Sequence, residues 1–508
     1  MTNQGNNEIP KVQSGELYFV PEDEKLLLKK LKQSKQLKKL KKPKSQQSRE
    51  LPGHISIKRD TSKYTSGLLA AFRAQPSKPV VPRSFFTTAA TPAVGEAVSK
   101  SRFPDISSEG VAYWLLASAA SVFGIVVFGG LTRLTESGLS ITEWRPVTGS
   151  IPPLNEDDWE SEFAKYRASP EFKLLNPNMT LQEFKSIYYM EWIHRIWGRF
   201  VGLSFVIPAA YFVATKRVSK SMSLRLAGIA GLIGFQGFLG WWMVKSGLKD
   251  DLFAPGSHPR VSQYRLTAHL GAAFVCYVAM LWNGLAILRS HRLLADPVKG
   301  LEVLQALKNP KLAVFRRSVA GLALLVFITA MSGGLVAGLD AGLIYNEIPW
   351  MGNGLTPPKE ELFDEFYSRK EDRSDLWWRN MLENPSFVQL DHRILAMTTF
   401  TSVMALWAYS RMPAMKRLLP RAAKKGIHGV VGFTALQLTL GISTLLYLVP
   451  IHLASAHQAG SLFLLTWVMV LGSRIWHPSR TARLLQQAVK AKPLSSTSHA
   501  ASPLANKG

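Results

Sequence analysis

The chain has 508 residues, 47% hydrophobic and 19% charged, with 61 Lys and Arg against 35 Asp and Glu for a formal net charge of +26. An acidic disordered chain is excluded by 14 Trp and 25 Phe, and a disulfide scaffold by a single Cys. An apolar chain with this much positive charge points to a polyanionic partner, an anionic membrane surface, an address signal or a membrane topology.

Residues 1–108 hold no apolar run long enough to cross a bilayer and carry 20 Lys and Arg against 9 Asp and Glu. Lys25–Lys44 is a Lys/Leu run that reads as a basic surface helix. Residues 54–104 are rich in Ser, Thr, Ala and Arg and poor in acid, the composition of a mitochondrial transit peptide. Arg83-Ser84-Phe85-Phe86-Thr87-Thr88 resembles a two-step processing site. The segment 1–108 is therefore expected to be a largely disordered, transit-like extension. A Lys run without aromatic residues supports only nonspecific electrostatics, so no nucleic-acid partner is expected.

Eight apolar runs follow: Val111–Leu131, Gly198–Thr215, Leu226–Val244, Ala268–Leu288, Val319–Leu339, Ile394–Ser410, Val430–Leu448 and Ala456–Gly472. A helix rises about 1.5 Å per residue, so about 20 residues cross roughly 30 Å of hydrocarbon. The expected fold class is an all-α membrane protein with eight transmembrane helices and the lipid bilayer as surroundings. Basic residues crowd the loops after the even spans, as in Lys216, Arg217, Lys220 and Arg225. The intervening loops are mixed or acidic, as in Glu156-Asp157-Asp158. Both termini are thus expected inside, with the long loops Thr132–Glu191 and Asp340–Asp391 outside.

The spans repeat. Gly129-Gly130-Leu131 and Glu136-Ser137-Gly138-Leu139 match Gly333-Gly334-Leu335 and Asp340-Ala341-Gly342-Leu343, each 204 residues on. His194-Arg195-Ile196 matches His392-Arg393-Ile394, Gln236 and Gly240 match Gln437 and Gly441, and His269 matches His457. The expected architecture is two tandem four-helix bundles related by pseudo-two-fold symmetry about the membrane normal. The halves are 109–290 and 319–475, joined by an inward-facing linker at 291–318 and followed by a tail at 476–508.

Four of the 11 His, namely His194, His269, His392 and His457, stand at the outer starts of spans two, four, six and eight. An ionisable group at a span edge costs free energy unless it is used. Two imidazoles on facing helices of a four-helix unit suit haem iron, and also Zn, Cu or non-haem iron. Arg195 and Arg393 follow two of the histidines and are candidates for propionate contacts. Glu191 precedes His194 by three residues and shares its helix face, whereas the matching position is Gln389. A di-iron site needs a second Glu-x-x-His, so the asymmetry argues against one and for chemistry in the first half.

The segments from Gly129 to Ser140 with Trp144 and Pro146, Glu191–Arg195, Pro259–Leu270, Val336–Gly342 and His457–Gly460 resemble the haem A synthase family, in its mitochondrial branch. The resemblance runs from about 108 to 475. It implies an oxidoreductase of the inner mitochondrial membrane that oxidises the C8 methyl group of haem O to the formyl group of haem A, through hydroxylated intermediates. It implies His194 and His269 as axial ligands of the substrate haem, His392 and His457 as axial ligands of a haem b cofactor, and Glu191 as the catalytic carboxylate. It further implies matrix-side termini, haem sites toward the intermembrane space, a ferredoxin-type electron donor and contact with haem O synthase. A homo-oligomer is compatible with it. The lone Cys276 lies in span four, so the cysteine pair of some bacterial members has no equivalent here. The alternative reading is a di-haem b-type electron-transfer membrane cytochrome. A transporter of parallel repeats would need broken helices near the midplane.

Overall fold

The computed structural model describes residues 103–249, 252 and 259–491. Lys25–Lys44, the processing-like segment 83–88 and the tail beyond 491 lie outside the described residues. Among the described residues all regular structure is helical, apart from one isolated bridge between Met351 and Gly354. The helices are α1 (Glu109–Leu134), α2 (Glu156–Arg167), α3 (Pro170–Leu175), α4 (Leu181–Ala214), α5 (Lys220–Gly247), α6 (Gln263–Ala295), α7 (Pro297–Leu307) and α8 (Lys311–Gly338). They continue as α9 (Lys359–Leu362), α10 (Leu376–Glu383), α11 (Pro385–Arg411), α12 (Pro413–Leu418), α13 (Arg421–Leu446), α14 (Ile451–Ile475) and α15 (Ser479–Ala491).

Seven helical stretches among the described residues are long and apolar enough to cross a membrane: α1, α4, α5, α6, α8, α13 and the run from α14 into α15. The expected sixth span falls on α11, which is long but less apolar. Its hydroxyls and the arginines that bound its apolar stretch, Arg393 and Arg411, are the reason, and most of the hydroxyls are satisfied within the protein. Thr398 donates to Ile394 O at 2.7 Å, Thr401 to Met397 O at 2.9 Å and Ser410 to Trp407 O at 2.6 Å. The Thr399 hydroxyl meets that of Thr329 at 2.9 Å. Side chains bonded back to their own helix lose much of the desolvation cost that a hydropathy sum assigns them.

The helices outrun the apolar stretches that foretold them. The run beginning at Gly198 belongs to α4, which already starts at Leu181 in a capping box between Thr180 and Glu183. Its first turns carry an aromatic stripe that hydropathy misses. Phe184 stacks on Phe163 at 5.0 Å and on Tyr166 at 5.2 Å, and Trp159 meets Tyr188 edge-on at 5.1 Å. The loop expected from Thr132 to Glu191 is therefore a folded cap, built from α2, α3 and the start of α4 around its own small core. Asn155 and Ser169 cap its two short helices.

In the bundle α1, α6, α8 and α14 pack around the centre, with α6 touching the other three. Against these lie α4 and α5 on one flank and α11 and α13 on the other. At the end of α1 away from Gly129, the chain is stapled to the α4–α5 turn and to the last turns of α6. Ser219 N donates to Ser107 Oγ at 3.0 Å, Ser108 N to Arg217 O at 2.9 Å, and His291 Nε2 lies 2.8 Å from Ser107 O.

Candidate functional site

One cavity of about 1930 Å³ is lined by His194, His269, His392 and His457 together, with Glu191, Arg195 and Arg393 also on its wall. A drug-sized ligand typically fills about 300–1,000 Å³, so this space admits two large flat molecules. Each histidine sits within its helix rather than at its tip: α4 starts 13 residues before His194, and α6, α11 and α14 start six or seven residues before theirs.

Each imidazole lies against a glycine on the preceding long helix. A Cβ at Gly129 would lie 2.7 Å from His194 Cε1, and one at Gly441 2.7 Å from His457 Cε1. The same pairing holds for Gly240 with His269 at 3.3 Å and Gly333 with His392 at 3.2 Å. Ordinary carbon contacts fall near 3.5–4.0 Å, so an absent side chain is what admits the ring at the first two positions. The glycines of the repeat are thus the floors on which the rings rest.

The ring nitrogens are sorted by this packing. Nδ1 of His194, His269 and His457 is buried without a partner, while Nδ1 of His392 meets Ser332 Oγ at 2.8 Å. Nε2 is therefore the nitrogen left to the cavity in all four. The ring centres of His392 and His457 are 6.5 Å apart with planes at 87°. Two imidazoles that share one iron at about 2 Å each have ring centres about 6 Å apart, so this pair fits a bis-imidazole haem. Gln236 Nε2 donates to His269 O at 3.0 Å and Gln437 Nε2 to His457 O at 2.9 Å, which anchors the second histidine of each pair in the same way.

Glu191 is buried and fully engaged. Its Oε2 accepts from Ser140 Oγ at 2.7 Å and Ile141 N at 2.8 Å. Its Oε1 accepts from Arg195 Nε at 3.0 Å and Nη2 at 2.6 Å. Arg195 also donates to Ile141 O at 2.9 Å and Glu143 O at 3.1 Å. Arg393 repeats the clamp on its own loop, with Tyr345 O at 3.0 Å, Glu347 O at 3.0 Å and Trp350 O at 3.2 Å. Gln389, in place of Glu191, donates to Tyr345 O at 3.1 Å. Both arginines line the cavity, yet most of their hydrogen bonding holds the loops.

Sequence reasoning missed the tie between the halves. Arg133 Nη2 reaches Asp340 Oδ1 at 2.9 Å, and Arg260 Nη1 reaches Asp340 Oδ2 at 3.2 Å. Asp340 adopts a left-handed φ of 50°, as its repeat mate Glu136 does at 53°. Burial pushes the Arg260 pKa below the usual guanidinium value, and Asp340 opposes that shift. A second link is Gln458 Nε2 donating to Val126 O at 2.9 Å. The repeat pointed at Asp340; nothing in the sequence named its partners.

The family profile described as cytochrome oxidase assembly protein (COX15-CtaA) matches residues 112–469. The "Heme A synthase COX15" of Saccharomyces cerevisiae is 54% identical over 378 residues, 74% of this chain and 77% of that protein. That of Homo sapiens is 46% identical over 364 residues, 71% of this chain and 82% of that protein. A "Heme A synthase-mitochondrial ferredoxin fusion protein" of Schizosaccharomyces pombe is 50% identical over 400 residues, 77% of this chain and 64% of that protein.

Proposed function

This chain belongs to the cytochrome oxidase assembly protein family, and from that premise we propose that it is a haem A synthase, an oxidoreductase that converts the C8 methyl group of haem O to the formyl group of haem A. The observation that carries the reading is the set of four glycine-backed histidines around one cavity. Relatives that bear the name Heme A synthase cover the same region at 46% and 54% identity.

In this reading His392 and His457 hold a resident b-type haem, and His194 and His269 hold the substrate. Bound haem supplies the one-electron and oxygen chemistry that a methyl C–H requires. The chain's own part is placement and proton handling. The glycine floors and the Gln236 and Gln437 bonds fix where each Nε2 points. Glu191 is the carboxylate of the substrate half; it ties the Ser140–Ile141 segment of the cap to α4 and stands beside the reacting edge as proton acceptor or water-orienting group. Arg195 and Arg393 close the cavity mouth by holding the loops and offer positive charge to propionates that enter there.

The same reading makes α11 an eighth span. Its internally bonded hydroxyls support this, as does its place between α8 and α13. Corresponding helix pairs then match across the halves: α1 with α4 and α8 with α11, α5 with α6 and α13 with α14. That pattern supports two four-helix bundles, 109–290 for substrate and 319–475 for the resident haem. The relative fused to a mitochondrial ferredoxin and the basic extension support the inner mitochondrial membrane, with matrix termini and haem sites toward the intermembrane space. The fused relative supports a ferredoxin donor. Haem O synthase is the supplier of substrate, and a homo-oligomer is compatible with the fold.

The test is haem analysis of cells that depend on this protein. His194→Ala and His269→Ala abolish haem A, whereas His392→Ala and His457→Ala chiefly lower the b-haem absorbance. Full haem A production by His194→Ala contradicts the assignment.

A further inference from the structure

The two halves treat their first histidine differently. Ser332 Oγ lies 2.8 Å from the Thr329 carbonyl oxygen and 2.8 Å from His392 Nδ1. A hydroxyl has one proton, and a carbonyl only accepts. All three groups are satisfied when Ser332 donates to Thr329 and His392 donates its Nδ1–H to Ser332. The tautomer follows: Nε2 of His392 carries the lone pair, facing the cavity. The hydroxyl of Thr329, whose carbonyl takes the Ser332 bond, is itself joined to that of Thr399 at 2.9 Å, which ties α8 to α11 there.

The matching positions of the first half are Phe128, Ile125 and Val201. All three are apolar. The Phe128 ring lies within 10° of parallel to His194, centres 6.4 Å apart, and His194 Nδ1 is buried without a partner. His269 Nδ1 is unpartnered too, and the His457 ring has only the Gln437 backbone beside it, so among these four histidines only His392 has a side-chain hydroxyl on its Nδ1, with the Thr329 backbone also in reach.

Resting on the haem-ligand reading above, we infer that Ser332 is a positioning residue that locks His392 in its ligating tautomer, so that the second half retains its haem, while the apolar residues at the matching positions, with Phe128 beside the ring, give His194 no such lock. A ligating imidazole whose other N–H is bonded has a fixed ring and is a stronger donor. A substrate haem must leave as product, and a cofactor haem must stay. The three paired differences supply that distinction from the chain itself.

Haem transfer from the purified, haem-loaded protein to apomyoglobin tests it. Release from wild type is biphasic, and His194→Ala removes the fast phase. Ser332→Ala accelerates the slow phase about tenfold, since loss of such a partner costs about 10–100-fold in metal affinity. It also raises the midpoint potential of that haem, because a weaker donor favours reduced iron. Ser332→Thr keeps the wild-type rate and potential, and Phe128→Ser slows the fast phase. Loss of one haem from Ser332→Ala on purification, with retention by Ser332→Thr, also supports the lock. An unchanged slow phase and potential in Ser332→Ala overturns the inference. Retention of both haems by His392→Ala overturns the ligand reading beneath it.

Discussion

Glu191 has four hydrogen bonds to its two oxygens, from Ser140, Ile141 and Arg195. That makes it a structural anchor of the cap as well as the carboxylate nearest His194 in sequence. Glu191→Gln separates the two roles, because it copies the Gln389 of the other half. An amide nitrogen cannot accept from the Arg195 guanidinium or the Ile141 N–H, and a charge-assisted bond contributes about 1.5–3 kcal/mol. The variant is expected to keep its haems but to turn over at least about tenfold more slowly, read as haem A formed per bound haem. Normal turnover at normal haem content confines Glu191 to the cap.

At the scale of elements, the bundle brings its helices together where a glycine meets an imidazole. The strength of the effect is graded in the geometry. Gly129→Ala and Gly441→Ala place a methyl 2.7 Å from His194 and His457, too close for the ring to stay. Gly240→Ala and Gly333→Ala leave 3.3 and 3.2 Å, where a shift of a few tenths of an ångström is enough. Haem content is expected to fall severely in the first pair and mildly in the second. Equal losses across all four would show that the floors do not position the rings. Much of this was legible in the sequence, because an apolar run of fixed length and a repeat at 204 residues are signals that one chain carries. The helix starts were not. The first turns of α4 are held by Phe184 and Tyr188 against α2, and a packing surface made by residues 20 positions away leaves no local hydropathy. The sixth apolar run, Ile394–Ser410, was legible too and falls on α11, whose hydroxyls are bonded internally, to Ile394, Met397 and Thr329.

For the whole molecule, the net charge of +26 divides between the extension and the rest of the chain, whose basic loops gather at the Ser107 end. The histidines occupy the other end, where the halves are joined through Asp340, Arg133 and Arg260. The His pairs were legible as residues and as a register. Their shared cavity was not, since it arises from α1, α6, α8 and α14 packing across the repeat. In the proposed reading two pairs on one cavity serve a resident haem and a transient one, and an electron-transfer cytochrome could use the same four histidines. Pyridine haemochrome analysis of the purified protein separates them most directly. A haem A synthase carries haem B together with O- or A-type haem, and His194→Ala loses the latter alone. Haem B as the sole species in both proteins would contradict the account.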